Sequence, residues 1–134
     1  GAFDIDGIMR GKYISRDKFL SSLDGGFGFC DVVLGWDCQD QLYDNVKYTG
    51  WHTGYPDAPV RLLPDTCRLL PFEDNGLFFL GEFSPPAETV CPRGLLRRVL
   101  ERGRGIGFEA YVGFEYVSCS RKRPSRCARN TIAA

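Results

Sequence analysis

AFDIDGIMRGKYI, residues 2–14, reads as a β-hairpin. Phe3 and Ile5 alternate with Asp4 and Asp6, Gly7 breaks the run, and residues 10–14 form a second extended piece. Alternation at period two is the pattern of a strand. Helix signals follow at once. Ser15 suits an N-cap, Phe19, Leu20 and Leu23 repeat at helical spacing, and Gly25 and Gly26 end the run. A hairpin followed directly by a short helix predicts a helix laid across a sheet.

The rest of the chain supplies further strands. Residues 30–37, CDVVLGWD, read as a buried strand ending in a carboxylate. Residues 38–57 are polar, contain Gly50, Gly54 and Pro56, and read as a long loop of the functional or mobile kind. Residues 59–64 form a short strand that residues 68–72 can continue, and residues 74–76 make a tight turn. LFFLGEF, residues 77–83, is a strong strand. Pro92 opens a helix to residue 104 whose apolar stripe is Leu95, Leu96, Val99 and Leu100. Its arginines, Arg93, Arg97, Arg98 and Arg102, read as a solvated face. FEAYVGFEYV, residues 108–117, alternates Phe108, Ala110, Val112 and Phe114 against Glu109, Tyr111 and Glu115, so it predicts a half-buried strand. The fold class is therefore α+β: a mixed sheet of the β-grasp kind with a packed helix, followed by a further helix and strand.

Composition narrows the function classes. The chain has 134 residues, 43% hydrophobic and 13% aromatic, which suits one soluble domain with a real core. No apolar run approaches the roughly 18 residues of a membrane span, and no signal peptide opens the chain. These features predict a cytoplasmic protein with no membrane partner. All 17 acidic residues lie in residues 1–116 beside 12 basic ones, a net charge of −5, and this body is not built for nucleic acid. Six cysteines show no CxxC spacing and His52 is the single histidine, so zinc is disfavoured and reduced thiols are expected.

Three stretches together carry a family resemblance. They are FDIDGIM followed by Arg10-Gly11-Lys12, PDAPVRLLPDTCRLLPF at residues 56–72, and CPRGLLRRVLERGRGIGFEAYVGFEY at residues 91–116. In order and spacing they resemble the N-terminal part of glutamine synthetase-like ligases, nearest to the branch that includes γ-glutamylputrescine synthetase. The resemblance implies a β-grasp domain over residues 1–88 and the beginning of a catalytic domain over residues 89–117. It implies ATP-dependent joining of glutamate to ammonia or an amine, with Mg²⁺ or Mn²⁺ neutralising the transferring phosphoryl group. In that family the active site lies between neighbouring subunits, so a homo-oligomer, or association with a full-length homologue, is implied.

Two site residues carry over on the resemblance. Asp37 stands where the family has an aspartate that binds and deprotonates ammonium, although Asp37-Cys38-Gln39-Asp40 replaces the usual DGSS-type loop. A strand-end aspartate capping the next turn is the other reading. Glu115 matches the first glutamate of a G-x-E-x-E signature, whose carboxylates at i and i+2 face bound metal. Without the resemblance, Glu115 reads as a solvated strand-face carboxylate.

The second glutamate of that signature falls at position 117, which is Val117. From there the chain runs SCSRKRPSRCARNTIAA, with five basic residues, no acid and no apolar periodicity. The genetic code allows residues 117–134 to be encoded so that another frame spells FVFEETPESVREK, a continuation of the family pattern. A frameshift after Tyr116 and a disordered tail over residues 118–134 are therefore expected. Three functions compete: a ligase fragment inactive alone and without bound cofactor, a β-grasp interaction module that joins or interferes with full-length oligomers, and a basic arm for nucleic acid or anionic membrane.

Overall fold

The computed structural model describes residues 1–115. Val117 and the basic tail lie outside the described residues. Two antiparallel sheets and two helices make an α+β fold. The first sheet pairs β1 (Ala2–Phe3) with β2 (Met9–Arg10). The second has the order β3 (Phe27–Cys30), β4 (Asp57–Leu69), β5 (Leu77–Phe83). Gly1 joins the two: its ammonium donates to the Phe79 carbonyl and its own carbonyl accepts from Gly81 N–H, both at 2.7 Å.

Helix α1 (Arg16–Gly25) begins and ends as its sequence predicts. Ser15 Oγ accepts from Lys18 N–H at 3.2 Å, one of the donors that a helix start leaves unpaired. Gly26 stops the helix at φ 68°, and its N–H returns to Ser22 O at 2.9 Å. A β-carbon there would stand 2.5 Å from Val60 O, so glycine also lets the turn reach the sheet. The buried face differs from the predicted stripe. Leu20 and Leu23 are exposed, while Ser22 is buried and Phe19 stacks on Phe79 with ring centroids 4.4 Å apart. A stripe only three residues long leaves the rotation of a helix open, and the aromatic pair sets it.

The central strand β4 merges the two predicted pieces into one. Its ladder with β5 shifts register between Leu63 and Arg68, where Pro64 interrupts. Thr66 patches the gap: its Oγ1 accepts Leu80 N–H at 2.8 Å and donates to Leu63 O at 2.6 Å. The predicted turn before β5 forms with Asn75 at φ 62° and Leu70 N–H on Gly76 O.

The predicted strand over residues 30–37 is corrected. β3 stops at Cys30, and Asp31–Leu34 make one 3₁₀ turn that buries Val33 and Leu34 in succession. A short continuous apolar run does not distinguish strand from helix by periodicity. The following loop is stapled rather than loose: buried Thr49 donates to buried Asp31 at 2.6 Å, and Asp31 N–H binds Pro56 O. The core gathers Phe29, Leu34, Ala58, Val60 and Phe83. Each large side chain buried there contributes about 1.5–3 kcal/mol.

Helix α2 (Pro92–Gly105) starts at Pro92 as read, and Arg98 and Arg102 are exposed as expected, but the rest of its faces differ from the reading. Leu95, Leu96 and Val99 are each more than half exposed, whereas Arg93 and Arg97 turn to the sheet and bond Glu82. The solvated-arginine reading is thus corrected for these two residues. Arg98 also has backbone partners, the carbonyls of Glu88 and Thr89 at 3.0 Å each. The predicted strand at residues 108–117 is corrected over its described part. Residues 108–115 carry no strand and are exposed, because no described element pairs with them.

Candidate functional site

Asp37 sits at the mouth of a five-residue loop that it closes itself. Its Oδ1 accepts Gln39 N–H at 2.8 Å and Gln41 N–H at 2.9 Å. Its backbone N–H bonds Gln41 O, its carbonyl accepts Asp40 N–H, and Trp36 bridges Leu42 across the loop base. The turn-capping role is therefore present in the structure. Oδ2 makes no hydrogen bond to any described residue, which leaves one oxygen of a rigidly held carboxylate available to a cation.

The β1–β2 hairpin holds this loop from below. Asp4 is fully buried, and its Oδ1 accepts Asp6 N–H at 3.0 Å and Ile8 N–H at 2.8 Å. Its Oδ2 takes Arg10 Nε at 2.7 Å. Arg10 then reaches the loop: Nη1 pairs with Asp40 Oδ1 at 2.7 Å, and the guanidinium lies 5.0 Å from the Trp36 ring centre. Asp6 adds a second tie by accepting Cys38 N–H at 2.9 Å. The bond to Asp4 is the main reason the guanidinium is held above its ordinary pKa. Partial burial, then the charges of Asp6 and Asp37, push the Tyr43 phenol above its usual value. Sequence reading singled out Asp37 by resemblance and did not identify the residues that hold its loop. A hint lay in Asp4, an acid at the third position from Gly1 that alternates with aromatic and aliphatic residues.

Glu115 is elsewhere and exposed. No group of three or more His, Cys, Asp or Glu side chains among the described residues is placed to hold a metal ion, so neither Asp37 nor Glu115 belongs to one. The described part of the chain does not by itself present a divalent-metal centre. Among the described residues, no helix is long and apolar enough to cross a membrane.

Most of the chain is shared with known proteins. The chain is 46% identical over 117 residues to a type-1 glutamine synthetase of Dictyostelium discoideum, covering 84% of this chain and 22% of that protein. Over the matched part, the chain's curated relatives are a glutamine synthetase and related glutamate ligases. A glutamate–isopropylamine ligase of a Pseudomonas species is 35% identical over 123 residues, covering 87% of this chain and 26% of the relative. A γ-glutamylethanolamide synthetase of Streptomyces coelicolor is 31% identical over 116 residues, covering 84% and 25%. The chain thus spans about a quarter of the length of these curated relatives. No family model matches the chain. No solved structure matches it.

Proposed function

We propose that the chain is the amine-side part of a glutamine synthetase-type ligase acting in glutamine biosynthesis and nitrogen metabolism in the cytoplasm. Its β-grasp domain spans residues 1–88, and residues 89–117 open the catalytic domain. In the whole enzyme, ATP phosphorylates the γ-carboxylate of glutamate, and ammonia or a small amine displaces phosphate. Mg²⁺ or Mn²⁺ supplies charge neutralisation at the transferring phosphoryl group when bound. Glu115 is proposed as one carboxylate toward that metal. The substrates named for the relatives suggest ammonia or a small primary amine such as isopropylamine or ethanolamine.

The observation that carries the reading is the free oxygen of Asp37 in a loop held by Arg10 and Asp6. An amine at neutral pH arrives as its ammonium. A fixed carboxylate draws it in by charge and then accepts a proton, which frees the lone pair for attack. Prior fixing of the loop lowers the ordering cost of forming this contact.

Two measurements test the reading. Titration of the chain with isopropylammonium at low salt is expected to shift the amide signals of residues 38–40, and Asp37→Asn is expected to abolish the shift. An equal response in the variant would sink the assignment of Asp37. The chain alone, given glutamate, ATP, Mg²⁺ and ammonium, is expected to form no ADP, because it spans about a quarter of its relatives. Clear turnover would overturn that part.

A second role is favoured by the exposed stripe of Leu95, Leu96 and Val99. Such a surface suits association with a full-length homologue or a second copy. Co-purification with a full-length relative, lost in a Leu95→Glu, Val99→Glu variant, is the expected result.

A further inference from the structure

The face of the second sheet that carries α1 is only partly covered. Side chains alternate along a strand, and the pairs Phe27–Val60, Val60–Phe83 and Leu62–Gly81 fix the register. Phe27, Phe29, Leu62 and Phe79 therefore share one face. Phe29 is buried in the core, but Phe27, Leu62 and Phe79 are half-buried. The ring of Phe19 stacks on Phe79 there, while Leu20 and Leu23 of α1 are exposed. Between α1, this face and the segment joining β2 to α1 lies a cavity of about 630 Å³.

The charged side chains in its lining are Lys12, Arg16 and Glu73. Lys12 Nζ donates to Gly28 O at 2.5 Å and stands 5.1 and 5.3 Å from the ring centres of Phe27 and Phe29. That uses one of its three N–H donors. Neither Lys12 nor Arg16 pairs with a carboxylate among the described residues. Glu73 is already engaged, since its Oε1 accepts the Tyr13 hydroxyl at 2.5 Å. Aromatic walls with a few charged groups at one side are the make-up of a small-molecule site. Two cations against one engaged acid select an anion, and the phenyl walls select an apolar body attached to it.

We propose that this cavity binds a small amphipathic carboxylate of the arylalkanoate kind. Its apolar body lies against Phe19, Phe27 and Phe79, and its carboxylate accepts from Lys12 and Arg16. The rings exclude water around the Lys12 ammonium, which strengthens the ion pair over one made at an open surface. None of residues 37–41 lines the cavity, so the site is separate from the Asp37 loop and the inference is independent of any role for Asp37.

Titration of the full chain with phenylbutyrate, followed by amide signals, tests it. Saturable shifts are expected at Phe27, Gly28 and Phe79, with nuclear Overhauser contacts from the ligand ring to Phe19 and Phe79. Phenylbutanol, which lacks the charge, and butyrate, which lacks the ring, are each expected to bind about tenfold more weakly or worse. Lys12→Gln, a change at an exposed side chain, should weaken phenylbutyrate by about tenfold, while Asp37→Asn leaves its affinity unchanged. Absence of saturable shifts in the parent chain would overturn the proposal. Equal binding of phenylbutanol would reduce the cavity to an unselective apolar surface, and equal binding of butyrate would reduce it to exposed cations; either result sinks the assignment. The ligand comparison is made on the parent chain, so it decides the matter even where a variant fails to fold.

Discussion

Glu82 on β5 and Arg97 on α2 are bonded at 2.9 Å through Oε2 and Nη1, and this pair anchors the second helix to the sheet. Oε2 also takes Arg61 at 2.5 Å, and Oε1 takes Arg93 Nη2 at 3.0 Å. Arg97 reaches on to Glu88 with its other nitrogen. With the leucine stripe of α2 turned outward, ion pairs and hydrogen bonds take the place that apolar burial usually holds in docking a helix.

Replacing Glu82 should therefore release α2 selectively. Glu82→Gln keeps the shape but weakens charge-assisted bonds to three arginines, at an expected cost of about 1–3 kcal/mol. Amide exchange over residues 95–104 should speed up in the variant while α1 remains as protected as before. Equal loosening of both helices would show that Glu82 supports the whole sheet rather than α2.

The same group gives a pH signature. Burial raises the Glu82 pKa, but bonds to Arg61 and Arg93 and their charges outweigh it, so the carboxyl lies below its ordinary value of 4.5. A depressed folded-state pKa means the stabilisation is fully present above 4.5 and is lost as pH falls through the lower folded value. The melting difference between the parent chain and Glu82→Gln should be constant from pH 7 to 5 and shrink below pH 4.5. A difference that persists unchanged at pH 2 would contradict this.

Much of the fold is legible locally, for definite reasons. Ser15, Gly26 and Pro92 mark helix ends through backbone chemistry that needs no distant partner, and residues 77–83 carry a clean strand composition. The errors share a cause. The face of α2 depends on Glu82, more than ten residues earlier, and residues 108–115 lack a described neighbour to pair with. Asp37 was singled out by its family resemblance. Its support was not, since the Asp6–Cys38 and Arg10–Asp40 ties are about 30 residues apart in the chain and exist only after the hairpin docks.

Arg10 offers a direct test of that support. A lysine keeps the charge but has no planar fork to reach Asp4 and Asp40 together. Arg10→Lys should cost about 1–3 kcal/mol, since buried Asp4 loses a charge-assisted partner. In a Trp51→Phe background the emission of Trp36 should shift, because the guanidinium no longer lies over its ring. Exchange at Gln39 and Gln41 should quicken. If isopropylammonium binds through Asp37, its affinity should fall with the loop's order while Asp37 itself is unchanged.

Two glycines on one helix should respond with opposite signs to the same change. Glycine to alanine in an exposed helix gains about 1 kcal/mol from backbone entropy alone. At Gly103 the nearest atom to a new β-carbon is Phe108 O at 3.8 Å, so Gly103→Ala should stabilise by up to about 1 kcal/mol. At Gly94, which is buried, the β-carbon would run into the Glu88 carbonyl and the Glu88 Cγ. That carbonyl also accepts from Arg98, so it is held in place. Steric displacement of this kind costs about 1–3 kcal/mol and exceeds the entropy gain. Gly94→Ala should therefore lower the melting temperature where Gly103→Ala raises it. Calorimetry of both variants checks the pair, and a stabilising Gly94→Ala would mean that α2 does not pack this closely on the turn at Ala87–Thr89.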